Sequence, residues 1–313
     1  MLQKVNYEIF NETKEDWETM HVENEGNDLN KTIQKQVDFN VKELTLIGRD
    51  IMSIREGEIQ ENFDKVEILQ LIKDEYANIP IQILQEFNNL EKLILKVSSY
   101  EEIFLFGEDK EHTGAFTKLK DLELHGLFNL KCIWKQDFRL NSILQNLDRL
   151  VVQYCPSLTV LLPSLASFEN ITSLRVRYCN GMQNLMSSST AKSLVRLEEL
   201  TIVGCEMMTK VLANEGDIEK AEIVFKKLRN LHFHNLESLT CFCSGNYTLE
   251  FPFLENLFVS ACLKMKTFSG GGLSMPRLKY LNFKGCSKSD IDTIIKQLQN
   301  DCSEFINAHE SMW

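Results

Sequence analysis

The chain has 313 residues and carries 45 Asp and Glu against 34 Lys and Arg, a formal net charge of -11. That balance argues against a general binder of nucleic acid or of an anionic membrane, since both need clustered Lys and Arg to replace counterions. Hydrophobic residues at 43% can build a core, and 14 Gly with 5 Pro leave little material for long flexible linkers.

Residues 1–36 read as an acidic lead or an atypical first unit. Six of the eleven excess negative charges fall in residues 1–30, where Glu8, Glu12, Glu15, Asp16, Glu18, Glu23, Glu25 and Asp28 face only Lys4 and Lys14. Trp17 implies that part of this stretch packs. The start has no apolar run of signal-peptide type, and no stretch approaches the ~18 apolar residues of a membrane span. Nine cysteines is an odd number, and many recur at one position of a repeat. These features predict free thiols and a cytoplasmic setting.

From residue 37 to 288 the chain repeats itself. Leu147, Leu150, Val152, Cys155 and Leu158 share their spacing with Ile171, Leu174, Val176, Cys179 and Met182. The same spacing returns in Leu197, Leu200, Ile202, Cys205 and Met208. The frame is L-x-x-L-x-L-x-x-C-x-x-L. It continues through Leu254, Leu257, Val259, Cys262 and Met265, and through Leu278, Leu281, Phe283 and Cys286. Leu takes the Cys slot at Leu127 and Leu236, and looser copies centre on Leu46, Leu71 and Leu95. About ten units at a period of some 20–30 residues match leucine-rich repeats. The predicted fold is therefore an α/β leucine-rich-repeat solenoid, a horseshoe with a parallel β-sheet on its concave face. Its convex segments are expected to be irregular or short helices.

L-x-L alternation makes a short strand with one buried face. A single unit cannot bury that face, but stacked units share one core. Phe63, Phe87, Phe116, Phe168 and Phe225 each stand three residues before the first anchor and predict a second core column. The Cys slot points inward, where a thiol is a small apolar group and a weak donor to the turn backbone. Ser98–Ala115 and Ala213–Glu222 read as charged surface loops. Ser289 to Asp292 resembles a capping box. Ile291, Ile294, Ile295 and Leu298 follow at helical spacing, so 289–313 is expected to be a covering helix, to about Asn300, and a tail.

No phosphate-binding loop, zinc-protease motif, nucleophile elbow or kinase signature occurs. Gly270 to Gly272 reads as a turn. His232 and His234 with Cys241 and Cys243 are the nearest approach to a metal cluster, but they lack the spacing of a zinc site. No catalytic residues, cofactor or metal are expected, and the chain is read as a non-enzyme.

Binding is expected on the concave face, where the strand positions between anchors form columns. Those columns hold Glu123, His125, Gln153, Tyr154, Arg175, Arg177, Tyr178, His232, His234, Asn282 and Lys284. Arg and Tyr suit protein contacts, and their positive charge on an acidic chain favours an acidic partner surface.

The wording of several repeats is more specific. LEKLILKVSSYEEIF (90–104), LFNLKCIWKQ (127–136), SFENITSLRVRYCNGMQNLMSSSTAKSLVRLEEL (167–200) and FCSGNYTLEFPFLENLFV (242–259) resemble the repeats of plant coiled-coil nucleotide-binding leucine-rich-repeat disease-resistance proteins. The resemblance spans roughly residues 25–285. It implies a recognition module of plant innate immunity. Its protein partner would be a pathogen effector, a guarded host protein or a nucleotide-binding receptor module. No coiled-coil or nucleotide-binding part is legible in this chain, so the resemblance implies recognition without the switch. A free-standing adaptor selecting substrates for a ubiquitin ligase, or a non-functional receptor fragment, are the alternatives.

Overall fold

The computed structural model describes residues 41–57, 63–79, 84, 87–104, 118–134, 144–164, 166–213 and 222–284. The expected acidic lead, the helix and tail of 289–313, and most of the two charged loops lie outside these residues, as do Phe116 and Cys286.

Ten five-residue strands form one parallel sheet. They are β1 (Glu43–Ile47), β2 (Ile68–Ile72), β3 (Lys92–Lys96), β5 (Asp121–His125) and β7 (Arg149–Gln153), then β8 (Ser173–Arg177), β10 (Glu199–Val203), β13 (Asn230–His234), β16 (Asn256–Ser260) and β18 (Tyr280–Lys284). Each strand carries one copy of the L-x-L element. The register aligns the copies without slip, so Leu150, Leu174, Leu200 and Leu231 stack in one row, with Val152, Val176, Ile202 and Phe233 in the next but one. A one-residue slip would turn every anchor to the wrong face, so the apolar pattern itself enforces this register. Both rows are fully buried from β2 to β16.

The architecture is the expected leucine-rich-repeat solenoid, with more β-structure on its second side than short helices alone. The helices that the described residues show in full there are α1 (Arg49–Arg55) and α2 (Ser188–Ser193). Further described segments pair as parallel ladders. One joins β4 (Glu102–Phe104) to β6 (Cys132–Trp134). Another joins β9 (Met186–Ser187), β11 (Lys210–Ala213) and β14 (Cys241–Cys243). The third joins β12 (Glu222–Val224), β15 (Thr248–Glu250) and β17 (Leu273–Ser274). Extended backbones one coil apart meet the spacing of about 4.8 Å that strand pairing needs. Between the two sides, Phe63, Phe87, Phe168 and Phe225 are buried as expected. Phe63 stacks on Phe87 at 4.7 Å, and Phe225 on Phe251 at 5.2 Å.

Among the described residues, every turn out of the main sheet uses the same device. The first residue after the strand is left-handed at Gly48, Lys73, Val97, Gly126, Tyr154, Tyr178, Gly204, Asn235 and Ala261, with φ between 46 and 64°. Its N–H donates to the last strand carbonyl of the following unit, as Tyr154 does to Arg177 at 3.0 Å and Gly204 to His234 at 2.9 Å. The next residue is the Cys slot. The buried thiols of Cys155, Cys179, Cys205 and Cys262 donate back to the carbonyls of Gln153, Arg177, Val203 and Ser260 at 3.3–3.6 Å. A left-handed turn is costly for residues other than Gly, and these bonds hold it at both ends.

Candidate functional site

Outward positions alternate with the anchors along each strand. The register places Glu123 beside Val151, Val151 beside Arg175, Arg175 beside Thr201, and Thr201 beside His232. Phe258 and Asn282 continue that row. A parallel row runs His125, Gln153, Arg177, Val203, His234, Ser260 and Lys284. Nine of the eleven expected binding residues lie in these two rows. Of Lys284 only the backbone is described.

Tyr154 and Tyr178 are the exceptions. They were expected among the exposed strand positions, and the structure places both at the left-handed turn instead. A left-handed residue breaks the period-two alternation, so its side chain does not continue the outward row. Their rings stack at 4.7 Å and 14°, and Tyr154 is only 9% exposed.

Charge on this face divides into two clusters. Glu123 lies 2.8 Å from Lys92 on β3, 3.3 Å from Arg149 on β7 and 3.3 Å from His125 on its own strand. The hydrogen bond with His125, followed by that with Lys92, holds the Glu123 carboxyl at about 2, against burial, which pushes it up. Glu123 is thus engaged within the sheet. Arg175 pairs with Glu199 on β10 at 2.9 Å. Arg177 makes no ion pair among the described residues, and its Nε is buried without an acceptor.

Two of the outward side chains of β10, Thr201 and Val203, are only 5% and 8% exposed. They are short, and longer side chains on β8 and β13 flank them. His232 meets the Phe258 ring edge-on at 5.9 Å, and His234 Nδ1 lies 2.7 Å from Ser260 Oγ. Burial, then the charges of His234 and Arg177, hold His232 below its usual range, with Glu199 opposing them.

Lys92, Arg149, Glu199 and Phe258 belong to this face and were not singled out from sequence. Phe258 shares its frame position with Glu123, Arg175, His232 and Asn282, so stacking the frames in register finds it; Lys92, Arg149 and Glu199 stand at the first strand position, from which no residue was singled out. His232 and His234 lie on the ten-stranded sheet, whereas Cys241 and Cys243 lie on the β9–β11–β14 ladder. Among the described residues no three His, Cys, Asp or Glu side chains gather as a metal site, and no helix is long and apolar enough to cross a membrane.

A family model described as plant disease resistance protein RPS2-like, leucine-rich repeats, matches residues 39–167 and 164–287. No curated protein matches the chain.

Proposed function

The chain belongs to the leucine-rich-repeat family of RPS2-like plant disease resistance proteins, and from that membership we propose that it senses a pathogen effector or a guarded host protein in the cytoplasm. The coarser role, a protein-interaction module in plant defence, comes with the family. Repeat solenoids bind through extended surfaces built from the same position of successive units. The observation that carries the reading is the outward face of β8 to β16, where Arg175, Arg177, His232, His234 and Phe258 gather over a floor of short side chains. Guanidinium and aromatic groups of this kind supply both contact area and directed hydrogen bonds.

The test is capture of a partner from the cytosol of infected plant tissue by the immobilised 313-residue chain. The double charge reversal R175E/R177E abolishes capture if the reading holds. Undiminished capture by a variant whose circular dichroism matches the wild type would sink it.

A further inference from the structure

Across the outward positions of β8, β10, β13, β16 and β18, Glu199 is the one acidic residue, on a chain whose net charge is -11. Arg175 already takes it at 2.9 Å. Arg177, in the neighbouring row, is half-buried and has no acid among the described residues; its Nε, like that of Arg175, is buried without an acceptor. A partly dehydrated cation without a partner is costly, and a carboxylate that supplies two parallel N–H···O bonds removes that cost. The short Thr201 and Val203 leave β10 as the low strand between β8 and β13.

We infer that Arg177 anchors a carboxylate of a protein partner, received over β10 on the side of the sheet where His232 stands. This rests on the reading of the face as the binding surface. A single carboxylate matches the one uncompensated charge. A phosphate dianion brings a second negative charge towards Glu199 and finds no second free cation on these strands among the described residues.

The bound carboxylate changes the field at His232. Among the described residues, Arg177 from β8, Glu199 from β10 and His234 from its own strand act on that ring, and Arg175 stands in its row. On β16 it faces the uncharged Phe258 and Ser260. An anion at Arg177 cancels part of the repulsion that disfavours the imidazolium. His232 then takes up a proton more readily, and by linkage the complex tightens as pH falls through the histidine range.

Acetylated hexaglutamate is the probe, titrated into the full chain carrying ring-labelled histidine, with affinity and histidine titration read by NMR. The wild type binds it more tightly at about pH 5.5 than at about pH 7.5, and one histidine titrates higher with the peptide than without it. Hexaglutamine does not bind. R177Q weakens binding about tenfold or more and removes the histidine response, while R177K falls between. Arg196→Gln, on a side chain bonded to Asn170 away from these strands, leaves both unchanged. Equal affinity in R177Q, no binding by the wild type up to about 10 mM, or displacement by inorganic phosphate at equal concentration overturns the inference. If that happens while R175E/R177E still abolishes capture from cytosol, the face binds its partner through other groups. If hexaglutamate binds at Arg177 but capture is insensitive to the double reversal, the carboxylate site stands and the proposed function falls.

Discussion

The Tyr178 ring lies flat against Gly204, so close that a Cβ at residue 204 would stand 2.4 Å from its edge carbons. Gly204 is also left-handed, with φ +63°. Two penalties therefore meet in Gly204→Ala: about 1–2 kcal/mol for the backbone and a further clash with the ring. A double-mutant cycle separates them. Denaturant melts should show a smaller loss from Gly204→Ala in a Tyr178→Ala background than in the wild type. Equal losses in both backgrounds would mean that the ring contact is irrelevant.

The Glu123 cluster makes a pH prediction. Its folded carboxyl titrates at about 2, against 4.5 for the free group. A group with a depressed folded pKa contributes stability above its unfolded pKa and loses it as pH falls through the folded value. The contribution is on the order of 3 kcal/mol at neutral pH, and it disappears between about pH 5 and pH 2. Glu123→Gln should flatten this part of the stability curve. Parallel acid profiles for the two proteins would contradict the assignment.

At the early end of the array Asp74 is 2% exposed and takes Arg55 at 2.7 Å and the Tyr100 hydroxyl at 2.7 Å. Arg55 also stacks on Tyr76 and donates to the Asn78 carbonyl. Removing one partner leaves a buried charge under-solvated. Tyr100→Phe is expected to cost about 1–3 kcal/mol, and Arg55→Met about 3–5 kcal/mol. Thermal melts in which Arg55→Met is the milder of the two would reverse this order.

The thiols of the Cys slot should be silent in the folded protein. Burial pushes the Cys179 and Cys205 thiols well above their usual range, and a buried neutral thiol is a poor nucleophile. Among the described cysteines only Cys132 is half-buried. Alkylation under native conditions, read by peptide mass spectrometry, should label Cys132 far ahead of Cys155, Cys179, Cys205 and Cys262. Early labelling of Cys179 would show that the turn opens.

Some of this architecture is legible in the sequence itself. The spacing of Leu150, Val152 and Cys155 and its returns located the strands, the buried rows and the thiol slot, because one coil's apolar pattern is local and period-two alternation admits one register. Tyr154 and Tyr178 misled for a related reason. Their place directly after the strand reads as one more outward position, and nothing in the letters marks the left-handed turn that nine units share, since Gly fills it only at Gly48, Gly126 and Gly204.

The candidate site divides along the same line. Sequence alone determined that Arg175, Arg177, His232 and His234 lie on the outward rows, because their frame positions dictate it. Tertiary structure alone decided which of them is free. Glu199 stands 24 residues beyond Arg175 and 22 beyond Arg177, and either could have reached it in principle. The distance of 2.9 Å assigns it to Arg175. The difference lies in how long side chains lean across neighbouring strands, which depends on packing between coils and not on the pattern within one.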